Sequence, residues 1–161
     1  GACVIGVGDN HPAAKPGQAK IIASESRFYP DTEDVMGWKI GANGFKVILK
    51  ATVPSLADAH LQKHVDQFLA KHNRTRNDMT HWVCHTGGPK VLQAFETALE
   101  LPDNALHRSW TSLQTVGNLS SSSVLFVLKE TLADADIQSG DYGLLLAMGP
   151  GFCCEMVLLS W

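Results

Sequence analysis

Nine residues, Trp82-Val-Cys-His-Thr-Gly-Gly-Pro-Lys90, restrict what this chain can become more than any other stretch. Trp82, Val83 and Cys84 form a short apolar run of the kind that ends a buried strand. His85 follows at once, then the pair Gly87 and Gly88, and Pro89 stands where a helix would open, since proline suits the first helical turn. Strand, histidine, glycine turn, helix start: that order sets an imidazole at the rim of a sheet, where α/β proteins bind ligands and do chemistry. Glycine also lets a ligand come close to the backbone.

The rest of the chain can be placed around that stretch. Residues 4–7 read as a strand and residues 11–18, with two prolines, as a surface loop. Residues 20–28 alternate loosely through Ile22, Ser24, Ser26 and Phe28, which suggests a strand with one wet face. Residues 30–44 read as irregular, and 45–50 as a further extended segment. A helix is expected from Pro54-Ser55, because Leu61, Val65, Phe68 and Leu69 fall at i, i+4, i+7 and i+8, with a stop near His72-Asn73. The helix after Gly88 carries Val91, Leu92, Phe95, Ala98 and Leu99 on one face and ends at Leu101-Pro102.

A loop through Trp110 and Leu113 then reaches Gly117, and Asn118 heads a third helix with Val124, Leu125, Val127, Leu128 and Leu132 turned inward. Its first turn, residues 120–123, is all serine, small enough to admit a ligand or a neighbouring helix. Residues 143–148 form a strongly apolar strand, Gly149-Pro150-Gly151 reverses it, and residues 152–161 return as a second strand. Strands alternating with helices up to a terminal hairpin predict an α/β layered fold. It has a mixed sheet with helices on its faces and makes one domain of residues 1–161.

Bulk properties exclude several classes of function. Hydrophobic residues make up 45% and charged ones 18%, as in a chain with a substantial core, and a formal charge of -3 leaves no basic stripe for nucleic acid. No apolar run approaches the roughly 20 residues of a membrane helix. The N-terminus lacks the basic region of a signal peptide, has no initiator methionine and begins inside an expected strand, which suggests a piece of a longer polypeptide. Cys3, Cys84, Cys153 and Cys154 sit in apolar surroundings, two of them adjacent, and read as reduced thiols of a cytoplasmic protein. The sequons at Asn73 and Asn118 then carry no meaning for glycosylation. Neither His81, Cys84 and His85 nor Cys153 and Cys154 match a standard zinc spacing, so no metal is expected.

Each candidate residue has a structural reading beside the functional one. A histidine at a strand end can be a satisfied packing residue. Asn118 can be a helix N-cap, or its amide can donate to a substrate carbonyl at the positive end of the helix. Turn chemistry alone accounts for Gly149-Pro150-Gly151.

Taken together, His85 with Thr86-Gly87-Gly88-Pro89, then Gly117-Asn118-Leu119-Ser120-Ser121, then Met148-Gly149-Pro150-Gly151-Phe152 resemble the C-terminal half of a type III polyketide synthase. This is the chalcone and stilbene synthase family, within the thiolase-like superfamily. The resemblance runs the whole length, with Gly1-Ala2-Cys3-Val4-Ile5 similar to the strand closing the family's N-terminal half. Arg27-Phe28-Tyr29-Pro30-Asp31-Thr32 and Val35-Met36-Gly37-Trp38 resemble bacterial members more than plant ones.

The resemblance implies a five-layered α-β-α-β-α parent of two similar halves, with a Cys nucleophile in one half and a His and an Asn in the other. His85 and Asn118 would be that His and Asn. Val47, Gly87, Gly88, Ser120, Gly149, Pro150 and Gly151 would line the substrate cavity. None of the four cysteines stands in the nucleophile's context, so the N-terminal half carrying that Cys is an implied partner. Malonyl-CoA and an acyl-CoA starter are the implied substrates, with no cofactor beyond the CoA thioesters, and the parent would be a cytoplasmic homodimer. The parent would be an acyltransferase performing decarboxylative Claisen condensation, and this chain alone would be inactive.

Two departures from the family pattern stand out. Val47 replaces the bulky Phe gatekeeper of plant chalcone synthases, and Thr86 replaces the usual Pro after the His. Two other readings compete. One is an initiating β-ketoacyl carrier-protein synthase, in which a Gln-Ala-Asn-like stretch follows the His. The other is a non-catalytic interaction domain that keeps the fold.

Overall fold

The computed structural model describes residues 3, 5, 18–50 and 53–161, with the side chains of 47, 49 and 53–59 left aside. Apart from Ile5 and Gln18, the expected strand at 4–7 and the loop at 11–18 lie outside the described residues. The elements run β1 (Lys20–Phe28), β2 (Met36–Gly41), β3 (Gly44–Leu49), α1 (Val53–Ala70), β4 (His81–Cys84), α2 (Pro89–Leu99), α3 (His107–Thr115), α4 (Ser123–Leu132), β5 (Tyr142–Gly149) and β6 (Cys153–Ser160).

Four strands form a mixed sheet in the order β1-β6-β5-β4. The β4–β5 pair is parallel, with Cys84 opposite Leu146, and the β5–β6 hairpin and the β1–β6 pair are antiparallel. A parallel neighbour requires a long crossover, and here α2, α3 and α4 fill it. All four residues of β4 are buried, so that strand is covered on both faces. Trp82 and Cys84 share one cluster with Leu61, Val65, Phe68 and Leu69 of α1, Leu92, Phe95 and Leu99 of α2, and Leu144, Leu146, Met156 and Leu158 of the hairpin. Val83, pointing the other way, lies on the side where α4 meets β4.

The apolar spacings of α1 and α2 thus bury the faces the sequence predicts, and the fold is the α/β mixed sheet with a closing hairpin. Glu100, in the left-handed conformation, ends α2 with its N–H on the carbonyls of Glu96 and Thr97.

The chain departs from expectation in four places. Residues 30–44 are not irregular throughout, because β2 pairs with β3 in a separate two-stranded sheet turned by Ala42-Asn43. The glycines at 37 and 41 dilute its strand signal. The expected loop through Trp110 and Leu113 is instead α3. Leu106, Trp110 and Leu113 recur at i, i+4 and i+7 against the core, and the Trp110 indole donates to Glu96 of α2 at 2.7 Å. Asn118 does not open α4 directly, since a 3-10 turn at Ser120–Ser122 intervenes. Within α4, Val127 is fully buried while Leu132 faces solvent and Ser123 and Thr131 take inward positions.

Candidate functional site

His85 is the first residue past β4. Its N–H extends the parallel ladder by donating to the Leu146 carbonyl at 2.8 Å, and the Cys84 carbonyl before it accepts from the Ser109 hydroxyl at 2.9 Å. The Gly87 N–H folds back on the His85 carbonyl at 3.0 Å, closing a tight turn. Gly88, at φ +145, then swings the chain into α2, and its carbonyl accepts from Val91 and Leu92. A side chain at Gly87 would press on Val91 at 3.3 Å. The ring of His85 is half-buried, and that burial holds its pKa below the ordinary imidazole value. At neutral pH it is therefore an uncharged imidazole, with one N–H to donate.

Asn118 arrives from the far side of the crossover. Gly117, at φ +84, turns the chain out of α3 so that the Asn118 carboxamide reaches the His85 loop. Its Nδ2 donates to the Gly87 carbonyl at 3.1 Å, while its Oδ1 accepts from the Ser120 N–H at 2.9 Å. Asn118 is thus not the N-cap of α4, a place held by Ser122; its Oδ1 closes a turn onto Ser120 and its Nδ2 bonds the backbone of the histidine loop. The two bonds fix which end of the amide is nitrogen, and they leave the second Nδ2 hydrogen for another acceptor. Ser120 occupies the left-handed region at φ +57, and the Ser123 hydroxyl takes the Leu119 N–H at 2.6 Å.

Gly149-Pro150-Gly151 closes the hairpin at the C-terminal end of β5, the same end of the parallel pair from which His85 leaves β4. Gly151, at φ +135, donates to the Met36 carbonyl at 3.2 Å, and a Cβ there would meet the Phe28 ring at 3.5 Å. The Phe152 N–H bonds the Thr32 hydroxyl at 3.0 Å, so residues 28–36 strap the loop from outside. Val47 pairs with Trp38 in the separate hairpin, whose first strand supplies the Met36 carbonyl.

The structure therefore joins His85, Gly87, Gly88, Asn118 and Ser120 directly, sets Gly149, Pro150 and Gly151 at the same sheet end, and carries Val47 on an adjoining element. Ser109 escaped the sequence reading along with the helix that bears it. The Leu106/Trp110/Leu113 period was the available signal.

Other chemistry is quiet. Among the described residues, no group of three or more His, Cys, Asp or Glu is placed to hold a metal ion. Burial pushes the thiols of Cys84, Cys153 and Cys154 up, Cys154 to about 12, which disarms them as nucleophiles. A cavity of about 670 Å³ opens at the opposite end of β4, beside Met79 and Trp82, but its charges already face each other, as in the Arg76–Asp66 pair at 2.8 Å.

Comparison with known proteins gives these features a context. The family model for chalcone and stilbene synthases, C-terminal domain, matches residues 20–160. The chain is 48% identical over 160 residues to a 1,3,6,8-tetrahydroxynaphthalene synthase of Streptomyces peucetius, covering 99% of this chain and 42% of that protein. It is 35% identical to a phloroglucinol synthase of Pseudomonas fluorescens, covering 99% of this chain and 44% of that protein. In three dimensions it superposes with a TM-score of 0.83 on the bacterial type III polyketide synthase 1,3,6,8-tetrahydroxynaphthalene synthase of Streptomyces coelicolor, at 29% identity, covering 89% of this chain and 41% of that one. The chain thus spans about two fifths of the length of the relatives it matches.

Proposed function

The chain belongs to the family of chalcone and stilbene synthase C-terminal domains, and from that premise we propose that it supplies the His/Asn part of a type III polyketide synthase site. The parent enzyme decarboxylates malonyl-CoA and joins the resulting two-carbon unit to an acyl group held on a cysteine. That cysteine is assigned to the part of the relatives this chain does not span, since none of its four cysteines stands in the nucleophile's sequence context and Cys84, Cys153 and Cys154 are buried.

The observation that carries this reading is the 3.1 Å bond from Asn118 Nδ2 to the Gly87 carbonyl. It ties the asparagine segment to the histidine loop, two residues past His85, and leaves the second amide hydrogen for another acceptor. On this reading the His85 imidazole and the Asn118 amide are two neutral donors to a thioester oxygen that gains charge. When malonyl-CoA loses carbon dioxide, the electron pair of the broken bond moves into an enolate. The enolate carbon then attacks the cysteine-bound acyl carbon, and the cysteine leaves as thiolate. Both steps build charge on a thioester oxygen, and each fixed donor contributes on the order of 10²–10³ in rate. The thiolate of the missing half would favour the His85 imidazolium, opposing the effect of burial and forming an ion pair with it. Asn118 does not titrate and remains a donor throughout.

Val47, Gly87, Gly88, Ser120, Gly149, Pro150 and Gly151 are assigned to the cavity wall, with malonyl-CoA and an acyl-CoA starter as substrates and no cofactor beyond them. Phe28, Trp38, Ile40 and Phe45 are large, apolar and exposed here, which supports a packing partner over this side in a homodimeric parent. Among the described residues no helix is long and apolar enough to cross a membrane; the parent is assigned to the cytoplasm, where buried thiols such as Cys84 and Cys154 stay reduced.

The test uses the parent enzyme with malonyl-CoA and, separately, malonyl-carrier protein. Turnover of malonyl-CoA that His85→Gln abolishes supports the proposal. Turnover of the carrier-bound substrate alone would favour an initiating carrier-protein synthase.

A further inference from the structure

We propose that Ser109 is a positioning residue for His85, acting through the Cys84 carbonyl; this rests on the role given to His85 above. The peptide unit between Cys84 and His85 is held at both of its polar ends. Its N–H donates to the Leu146 carbonyl at 2.8 Å, and its C=O accepts from the Ser109 hydroxyl at 2.9 Å. The two atoms lie in one rigid plane, so the two bonds together stop that plane from tilting about the strand axis. The plane ends at the His85 Cα, and its tilt sets the direction in which the imidazole leaves the chain.

The first bond belongs to the sheet, as for any strand residue. The second is peculiar to this site. Ser109 is 0% exposed and comes from α3, on the other side of α2 in sequence. A hydroxyl inside a helix commonly turns back to the carbonyl four residues earlier, and Thr115 and Thr131 do so, bonding Thr111 and Val127. Ser109 instead reaches across to the strand. With the Asn118 bond to the Gly87 carbonyl, the histidine loop is gripped on both flanks, one residue before His85 and two after it. Ser109 contributes no atom to the substrate.

The same helix supplies a matched control. Ser112, one turn further, is also buried, at 4% exposure, and its hydroxyl has no hydrogen-bond partner among the described residues. Removing that hydroxyl alters a buried serine of the same helix and leaves the bond to the Cys84 carbonyl in place.

The experiment measures carbon dioxide release from malonyl-CoA by the parent synthase carrying Ser109→Ala, Ser109→Cys, Ser112→Ala or His85→Gln. A misplaced reacting group costs up to about 10²-fold, so Ser109→Ala should lower kcat roughly 10- to 100-fold with KM little changed. Ser109→Cys, a weaker donor of similar size, should fall between Ala and the parent, and decides the matter if the Ala variant does not fold. Ser112→Ala should retain the parent kcat. If the Ser109 variants keep the parent kcat, or fall only in step with Ser112→Ala, the proposal is overturned. If His85→Gln itself stays active, the reading of the site fails first.

Discussion

Asn118→Asp separates the two bonds that the carboxamide makes. Aspartate keeps an oxygen where Oδ1 accepts the Ser120 N–H at 2.9 Å, and Asp serves about as well as Asn in such a turn. It loses the donor to the Gly87 carbonyl and sets a carboxylate oxygen against that carbonyl instead. A single lost hydrogen bond costs about 0.5–1.5 kcal/mol, and Asn118 is solvent-exposed, so the fold should survive with a small loss of stability. The effect on rate should be far larger. Removing one donor from a developing oxyanion costs about 10²–10³ in kcat, and the new negative charge adds repulsion. Asn118→Ala, by contrast, loses both bonds, so it should be the less stable variant without being the slower one. The assay is malonyl-CoA decarboxylation by the parent enzyme beside urea unfolding of the same preparations. An aspartate variant that turns over near the parent rate would refute the donor role and leave Asn118 as a turn residue only.

Three further outcomes are expected. The 161-residue chain alone should release no CoA from malonyl-CoA, and measurable turnover by the purified chain would place the nucleophile within it. Burial holds the pKa of His85, and of His64, below the ordinary value, so the unfolded chain binds protons first as pH falls. Stability should be full above about pH 6.5 and decline as pH drops through the lowered values. His85→Gln should flatten part of that decline in urea titrations, and an unchanged pH profile would contradict it. Finally, Trp38 and Phe45 pack edge to face at 6.3 Å on an exposed hairpin. Replacing both with serine should reduce self-association of the chain in sedimentation, whereas a parent chain already monomeric at high concentration would remove the premise.

Long, periodic or glycine-punctuated stretches were legible in the sequence. Leu61, Val65, Phe68 and Leu69 mark their helix face plainly, and Trp82 to Pro89 spells out strand, turn and helix start. The helix α3 was hidden because its apolar period is carried by only Leu106, Trp110 and Leu113, among Arg, Ser and Thr that read equally well as loop. With the helix went Ser109, since a serine shows its role only once its partner is known, and the Cys84 carbonyl lies 25 positions away. The strand β2 was hidden for a different reason. Among the described residues it pairs only with β3, and its outward Trp38 and Ile40 give no inside-outside alternation for a pattern to show.

The two-stranded sheet of β2 and β3 is built apart from the main one and meets the Gly149-Pro150-Gly151 loop through the Met36 carbonyl. The imidazole and carboxamide, by contrast, stand on the four-stranded sheet and its crossover helices. If the proposed roles hold, reactivity and selectivity are mounted on separate sheets. Under the proposed function, exchanging residues of the hairpin, Val47 among them, would alter the space for a growing product and leave intact the bonds to Leu146, Ser109 and Gly87 that hold the histidine loop.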